Sequence, residues 1–179
     1  MSEQNPFATI GGVDASRDSN YVNPGHYIMR IDAVKMKENR KGDDIFIVEQ
    51  TPLHVLAAEE CMMNKAPTRS NKPGITCSHL IPFAGPGKDM ALPNVKAFAE
   101  TVVEGFAENP DKQAALMLVI TGDKQPLAGL MVEVVARSIV TRSGSDFTKV
   151  VYVEVVDNAW RLERELITPE QFELLSAEG

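Results

Sequence analysis

The sequence predicts a mainly β protein: a small five-stranded barrel with a helical insertion between strands 3 and 4, an N-terminal arm and a C-terminal helix. Apolar and polar residues alternate over long stretches, as in strands with one buried face. Glycine-containing turn clusters separate these stretches, and a single interval with helical spacing interrupts them. The 179 residues fit one domain, which we divide into an arm (1–24), a barrel (25–157) and an acidic helical tail (158–179).

Composition predicts a globular protein of the cytoplasm. Apolar residues make up 44% of the chain and charged residues 24%, which are ordinary proportions for a folded domain. No apolar run approaches the roughly 18 residues of a membrane span, and residues 1–6 lack the basic and apolar regions of a signal peptide. The two cysteines, Cys61 and Cys77, provide no disulfide framework. We therefore expect no membrane partner.

Residues 1–24 predict an arm, because prolines, paired glycines and turn-forming residues interrupt any periodicity there. Four apolar residues indicate that the arm lies either on its own domain or on a second copy of the chain: Phe7, Ile10, Tyr21 and Val22. The first strand is expected from His26 to Lys37. Its apolar residues change parity after Ala33, a change that is typical of a β-bulge.

Turn residues and a proline delimit the next two strands. Residues 38–42 predict a hairpin loop, and the second strand starts at Asp44. Pro52 cannot donate a hydrogen bond to a neighbouring strand, so the second strand is expected to bend, end or become an edge there. After an irregular connection over 57–74, the third strand is expected from Ile75 to Phe83.

A helical interval separates the third and fourth strands. Asn94 is the expected N-cap of its first helix, whose apolar residues recur at helical spacing: Val95, Phe98, Val102 and Phe106. Asn109 and Pro110 are expected to end this helix and to begin a second, short one that runs to about Ile120.

The fourth and fifth strands form the clearest predicted hairpin, over 128–156. Its first strand is apolar at even positions from Leu130 to Val140, and Gly144 supplies the positive φ of a tight turn. In the return strand one face carries Phe147, Val151, Val153 and Val155, and the other carries Thr148, Tyr152 and Glu154. A capping box at 168–171 then predicts a terminal helix to about Ala177. This order of elements is that of an OB-like barrel, in which the inserted helix closes one end.

Positive charge is concentrated on the strand loops of a chain whose net charge is −7. Acidic residues dominate from Glu154 onward. Basic loops beside an acidic end are typical of single-strand binders, because the loops contact phosphates and the acidic end repels competing strands or docks partners. The predicted nucleic-acid-binding residues are Arg30, Lys35, Lys37, Arg40, Lys41, Arg69, Lys72, Lys88, Arg137, Arg142 and Lys149, with Tyr27, Phe46 and Tyr152 as stacking platforms and Phe83 and Phe147 as further aromatic candidates.

The order of elements, the stretch from Ser16 to Tyr27 and the helix over 94–106 resemble phage-encoded OB-fold single-stranded DNA-binding proteins, over roughly 25–157. The resemblance implies a non-catalytic protein that coats single-stranded DNA during phage replication or recombination in the host cytoplasm. It further implies that replication or recombination proteins dock on the acidic tail. The arm and the connection over 57–74 are not explained by the shared barrel.

No residue pattern predicts an enzyme, a cofactor or a metal. Zinc uses histidine and cysteine ligands, but the spacing of His54, Cys61, Cys77 and His79 matches no known zinc motif. Residues 85–88 resemble half of a phosphate-binding loop without the rest of its frame.

Two interpretations other than DNA binding stay open. The basic hairpin is also compatible with a solvated sheet face. The arm and the proline-rich connections are compatible with a virion structural protein, such as a capsid cement or tail component built on a β-barrel.

Overall fold

The computed structural model describes residues 21–58 and 70–178. Five strands form one antiparallel sheet in the order β3-β2-β1-β4-β5. The strands are β1 (Gly25–Glu38), β2 (Asp44–Ala58), β3 (Cys77–Pro82), β4 (Met131–Val140) and β5 (Asp146–Val156). The helices are α1 (Ala91–Val102), α2 (Gln113–Ile120), α3 (Asn158–Glu163) and α4 (Pro169–Ala177), and short 3-10 turns precede α1 and α2. The predicted mainly β class is confirmed, with the helical interval between β3 and β4.

The predicted parity change in β1 is a β-bulge at Asp32. The residues on either side of Asp32 pair with the consecutive residues Gln50 and Glu49, so Asp32 itself has no partner in β2. Ile31 and Val34 are both fully buried, although they differ in parity. The extra residue bends the strand. As a result, β1 presents apolar side chains to the core on both sides of the bulge.

Pro52 lies inside a continuous β2 strand. This is tolerated because β3 pairs only with residues Ile45–Gln50 and leaves the later part of β2 without a strand partner on that side, where the Gly74 N–H donates to the Pro52 carbonyl at 2.9 Å. On the other side, Pro52 pairs with Met29, next to a shift in register. The expectation that the second strand becomes an edge near Pro52 is confirmed, and the physical reason is the missing N–H of proline.

Helix α1 covers the inner face of the sheet with the predicted apolar stripe, because Val95, Phe98 and Val102 are all buried. The Phe98 ring packs edge-on against Phe46 and Tyr152, at centroid distances of 5.6 and 4.7 Å. Burial of a side chain of this size contributes about 2–3 kcal/mol. The helix therefore fixes the inner layer of the core.

The predicted N-cap of α1 is wrong. The helix begins at Ala91, and its N-cap is Met90, which makes no side-chain capping bond. The 3-10 turn Lys88–Met90 leads directly into it, and Pro93 lies in the first turn, where a missing N–H is harmless. Asn94 is consequently a helical residue. By contrast, the capping box of α4 is confirmed, since Thr168 and Gln171 exchange both expected hydrogen bonds.

The two edges of the sheet are joined by side chains. Among the described residues β3 and β5 form no strand pair, so a closed barrel is not established. The hydroxyl of Tyr152 on β5 lies 3.2 Å from Gln50 Nε2 on β2 and 3.1 Å from His79 Nδ1 on β3. From α1, the hydroxyl of Thr101 donates to the carbonyl oxygen of Tyr152 at 3.2 Å. The sheet is thus curled, and α1 lies over its two edges.

The last residues of the predicted arm pack on their own domain. Val22 is buried, and its N–H donates to the Ser78 carbonyl at 3.3 Å. The N–H of Asn23 donates to Asn71 Oδ1 at 2.7 Å. Of the two alternatives for the arm, packing on the same chain therefore holds for residues 21–24. Residues 1–20 lie outside the described part of the chain, as do 59–69.

Candidate nucleic-acid interface

The β4–β5 hairpin has an outer surface that mixes apolar and basic side chains. Directly opposite residues of antiparallel strands share a face, and here three such pairs point away from the core. We call this surface the hairpin face; it consists of Val135 with Val151, Arg137 with Lys149, and Ile139 with Phe147. The even-numbered residues of β4 between them, Val134, Ala136 and Ser138, are buried. The predicted period-two pattern of β4 is therefore confirmed.

Phe147 is the aromatic side chain that this arrangement exposes. It is 53% accessible, and it lies on the same face as Lys149, two residues further along the strand. An exposed ring next to a cation is the combination that binds the base and the phosphate of a single strand. From the sequence, Phe147 is only a further candidate for base stacking. The signal in the sequence is that Phe147 lies two residues from Lys149, a spacing that places both side chains on one face of a strand.

The prediction of three aromatic stacking platforms is wrong. Tyr27, Phe46 and Tyr152 are 0%, 1% and 8% accessible, respectively, so no base can stack on them. Tyr152 turns inward because its hydroxyl finds Gln50 and His79 as partners, and burial raises its pKa. Phe83 is half-buried against the core.

Charge changes sign along the hairpin. Its loop end carries the exposed side chains of Arg137, Arg142 and Lys149. Within the described residues, Lys149 forms no ion pair. Near the base of the hairpin, two acidic residues, Glu133 and Glu154, stand opposite each other on neighbouring strands. Glu133 contacts His26 at 2.8 Å, and Glu154 accepts a hydrogen bond from the Trp160 indole at 3.1 Å. The described basic side chains of the hairpin therefore lie towards its loop end, and the described acidic ones lie towards its base.

The turn of the hairpin, which contains Arg142, is closed by backbone hydrogen bonds. The N–H of Thr141 donates to the Ser145 carbonyl at 2.8 Å, and the N–H of Gly144 donates to the Thr141 carbonyl at 2.9 Å. Gly144 has a φ of 81°, as predicted for a tight turn. Arg142 is exposed within this turn.

The predicted basic residues of the first hairpin divide into two groups. Arg30 and Lys35 are engaged in ion pairs, with Asp32 and Glu49 respectively, both at 2.9 Å. Lys37, Arg40 and Lys41 are exposed at the end of β1 and in the following loop, and in the described part of the chain they form no ion pair. The second group is the one that is available to an external anion.

The remaining predicted basic residues are scattered. Lys88 is exposed in the 3-10 turn before α1, and Lys72 is exposed next to the buried Asn71. Arg69 lies outside the described residues.

The structure separates the basic residues into two clusters. β4 pairs with the first residues of β1, with Gly25 opposite Ala136, whereas the β1–β2 loop follows Glu38 at the other end of the strand. The hairpin face and the β1–β2 loop are thus distinct surfaces.

The histidines and cysteine considered for zinc have protein partners or are buried. His54 Nε2 accepts hydrogen bonds from the Arg161 guanidinium at 3.0 and 3.1 Å; burial, and then the charge of Arg161, lowers its pKa. Burial lowers the pKa of His79 to about 4. Burial, and then the charge of Asp32, raises the pKa of Cys77 to about 12, so that its thiol stays protonated and unreactive.

Among residues 21–58 and 70–178, no group of three or more histidine, cysteine or acidic side chains is placed to hold a metal ion. Cys61 lies outside these ranges. No described helix is both long and apolar enough to cross a membrane.

Comparisons with known proteins add no identification. No protein-family model matches the chain, and no curated protein matches it in sequence.

Proposed function

We propose that this chain is a non-catalytic single-stranded DNA-binding protein whose hairpin face contacts the strand. The observation that carries the proposal is the exposed Phe147 ring beside Arg137 and Lys149. Stacking of a base on an exposed ring contributes about 1–3 kcal/mol. Neighbouring cations add affinity by releasing counterions from the phosphates.

The fold supports the proposal when it is interpreted as an OB-like barrel. Five antiparallel strands, a helix between β3 and β4, and side-chain contacts that join the two sheet edges are consistent with that architecture. OB-folds bind oligonucleotides with the loops between their first two and last two strands. In this chain both of these loops are basic, with Arg40 and Lys41 in the first and Arg142 in the second.

The C-terminal helices supply an acidic surface. Both tail arginines are engaged locally, since Arg161 donates to His54 and the guanidinium of Arg164 lies 3.6 Å from the centroid of the Trp160 ring. Residues 169–178 contain no basic residue, and their exposed charge is negative, from Glu170, Glu173 and Glu178. We infer that this surface repels competing strands and docks replication or recombination proteins.

The test compares single-stranded with duplex oligonucleotides by fluorescence anisotropy, at low and at physiological ionic strength. We expect tighter binding of the single strand, with affinity that falls as salt rises. A double variant, Lys112→Ala with Lys124→Ala, is the matched control, because both lysines are exposed and lie away from the hairpin. Equal or undetectable binding of both DNA forms at low salt would refute the proposal.

A second candidate, a virion structural protein such as a capsid cement or tail component, is favoured by the surface of α2. This helix is apolar in every residue except Gln113, yet Leu118 and Val119 are 76% and 54% accessible. A helix that is apolar on all sides is normally buried, so its exposure favours assembly with another protein. Light scattering of wild type and of the variant Leu118→Ser with Val119→Ser tests this candidate, which predicts assembly that the substitutions abolish and salt does not.

A further inference from the structure

A cavity of about 460 Å³ opens between the β1–β2 loop and the segment that follows β3. Its lining includes Asn39, Arg40, Lys41, Asp43, Pro82 and Ala84. We propose that this loop cavity binds one nucleoside phosphate. The inference does not depend on DNA binding by the hairpin face, because the two surfaces lie at opposite ends of β1.

The loop that carries the cations is held in place by the Asn39 side chain together with backbone hydrogen bonds. Asn39 Oδ1 accepts hydrogen bonds from the N–H groups of Lys41 and Asp43, at 2.8 and 2.9 Å. The backbone adds bonds from the Asn39 N–H to the Asp43 carbonyl at 2.8 Å and from the Gly42 N–H to the Asn39 carbonyl at 3.0 Å. A loop backbone fixed in this way needs little further ordering when an anion binds to its side chains, so the entropy cost is mainly that of the side chains themselves.

The lining matches the three chemical parts of a nucleoside phosphate. The Arg40 guanidinium and the Lys41 ammonium suit the phosphate. The Asp43 carboxylate, which accepts a hydrogen bond from Asn39 Nδ2 at 3.2 Å, retains acceptor capacity for a sugar hydroxyl or a base amino group. Pro82 and Ala84 supply apolar surface for the sugar or base.

Size and charge distinguish this ligand from a bare phosphate. The cavity volume lies within the range of about 300–1,000 Å³ that is usual for small-molecule sites, which a single phosphate ion does not fill. A carboxylate in the lining repels an isolated anion but accepts a hydrogen bond from a nucleoside. The same chemistry is offered by a free mononucleotide and by one nucleotide unit of a strand.

The first experiment titrates the full chain with thymidine 5′-monophosphate and, in parallel, with inorganic phosphate, and follows backbone amides by NMR. We expect saturable shifts at residues 39–43 and 83–85 with the nucleotide, and shifts confined to Arg40 and Lys41 with phosphate. In Arg40→Ala with Lys41→Ala, nucleotide affinity should fall by about tenfold or more. The variant Lys112→Ala with Lys124→Ala should bind as wild type does. Absence of shifts at millimolar nucleotide, or shifts elsewhere only, would overturn the inference.

The second experiment identifies the source of the nucleotide, with a labelled oligothymidylate and both loop and hairpin variants. If the cavity holds a unit of a strand, the Arg40 and Lys41 double variant loses one phosphate contact and should make the slope of log affinity against log salt shallower by about 0.7. If it holds a free nucleotide, that slope should not change while mononucleotide binding is lost. Failure of the hairpin proposal can be distinguished from failure of the cavity proposal. If the hairpin face does not bind DNA, Lys149→Ala leaves oligonucleotide binding intact. Binding of the mononucleotide at the cavity is unaffected by that substitution in either case.

Discussion

Replacement of Phe147 with alanine separates base stacking from charge on the hairpin face. The substitution removes a ring that is 53% accessible and leaves Arg137 and Lys149 in place. Because a base stacked on an exposed ring contributes about 1–3 kcal/mol, affinity for a single-stranded oligonucleotide should fall by about 5- to 150-fold. The slope of log affinity against log salt should not change, because no phosphate contact is lost.

The stability of the protein should change little in this variant. Phe147 stands opposite Ile139 at the solvent-exposed end of the hairpin, and such a cross-strand pair contributes about 0.2–1 kcal/mol. Val153→Ala is a control on the same strand, since Val153 is 47% accessible, stands at a register shift without a partner on β4, and has no ring to stack. It should lose no more stability than Phe147→Ala and retain DNA affinity.

Fluorescence anisotropy with a labelled oligothymidylate measures the affinity, and thermal unfolding measures the stability. Wild-type affinity in a folded Phe147→Ala protein would refute the stacking argument. Equal losses of affinity in Phe147→Ala and Val153→Ala would show that the hairpin contributes as a scaffold and not through its ring.

Three other predictions concern charge, the tail and pH. Alanine at the three hairpin cations, Arg137, Arg142 and Lys149, should make the salt slope of DNA binding shallower by about 2, with a change in stability of less than about 0.5 kcal/mol; a constant slope with impaired folding would instead indicate structural ion pairs. Deletion of residues 168–179 should cost about 1 kcal/mol and leave DNA binding undiminished, since α4 buries no residue fully; collapse of the thermal transition would contradict this. Because burial lowers the pKa of His79 from 6.5 to about 4, the unfolded state takes up a proton that the folded state excludes as pH falls from 6.5 to 4. This group should then lower the stability by up to about 3 kcal/mol over that window and add no further loss below it. The decline in overall stability between pH 6.5 and 4 should be smaller in His79→Asn, as measured by urea unfolding at several pH values.

The sequence by itself determined the local features of this protein. The parity change in β1, the loop after Glu38, the turn at Gly144 and the capping box at Thr168 are all confirmed. Each depends on hydrogen bonds or dihedral angles within a few residues, so residue types and spacing are sufficient to indicate them. The basic character of the loops is visible in the same way.

Only the tertiary structure decided which residues face the core and which can meet a ligand. Tyr152 is buried because Gln50 and His79, distant in sequence, supply partners for its hydroxyl. The other face of β5, with Phe147, Lys149 and Val151, is left exposed or partly exposed. Alternation along a strand defines two faces but does not say which one is covered, because that depends on where α1 packs. For the same reason the ion pair of Lys35 with Glu49 on the neighbouring strand and the cavity beside Arg40 are properties of the folded chain and not of its local pattern.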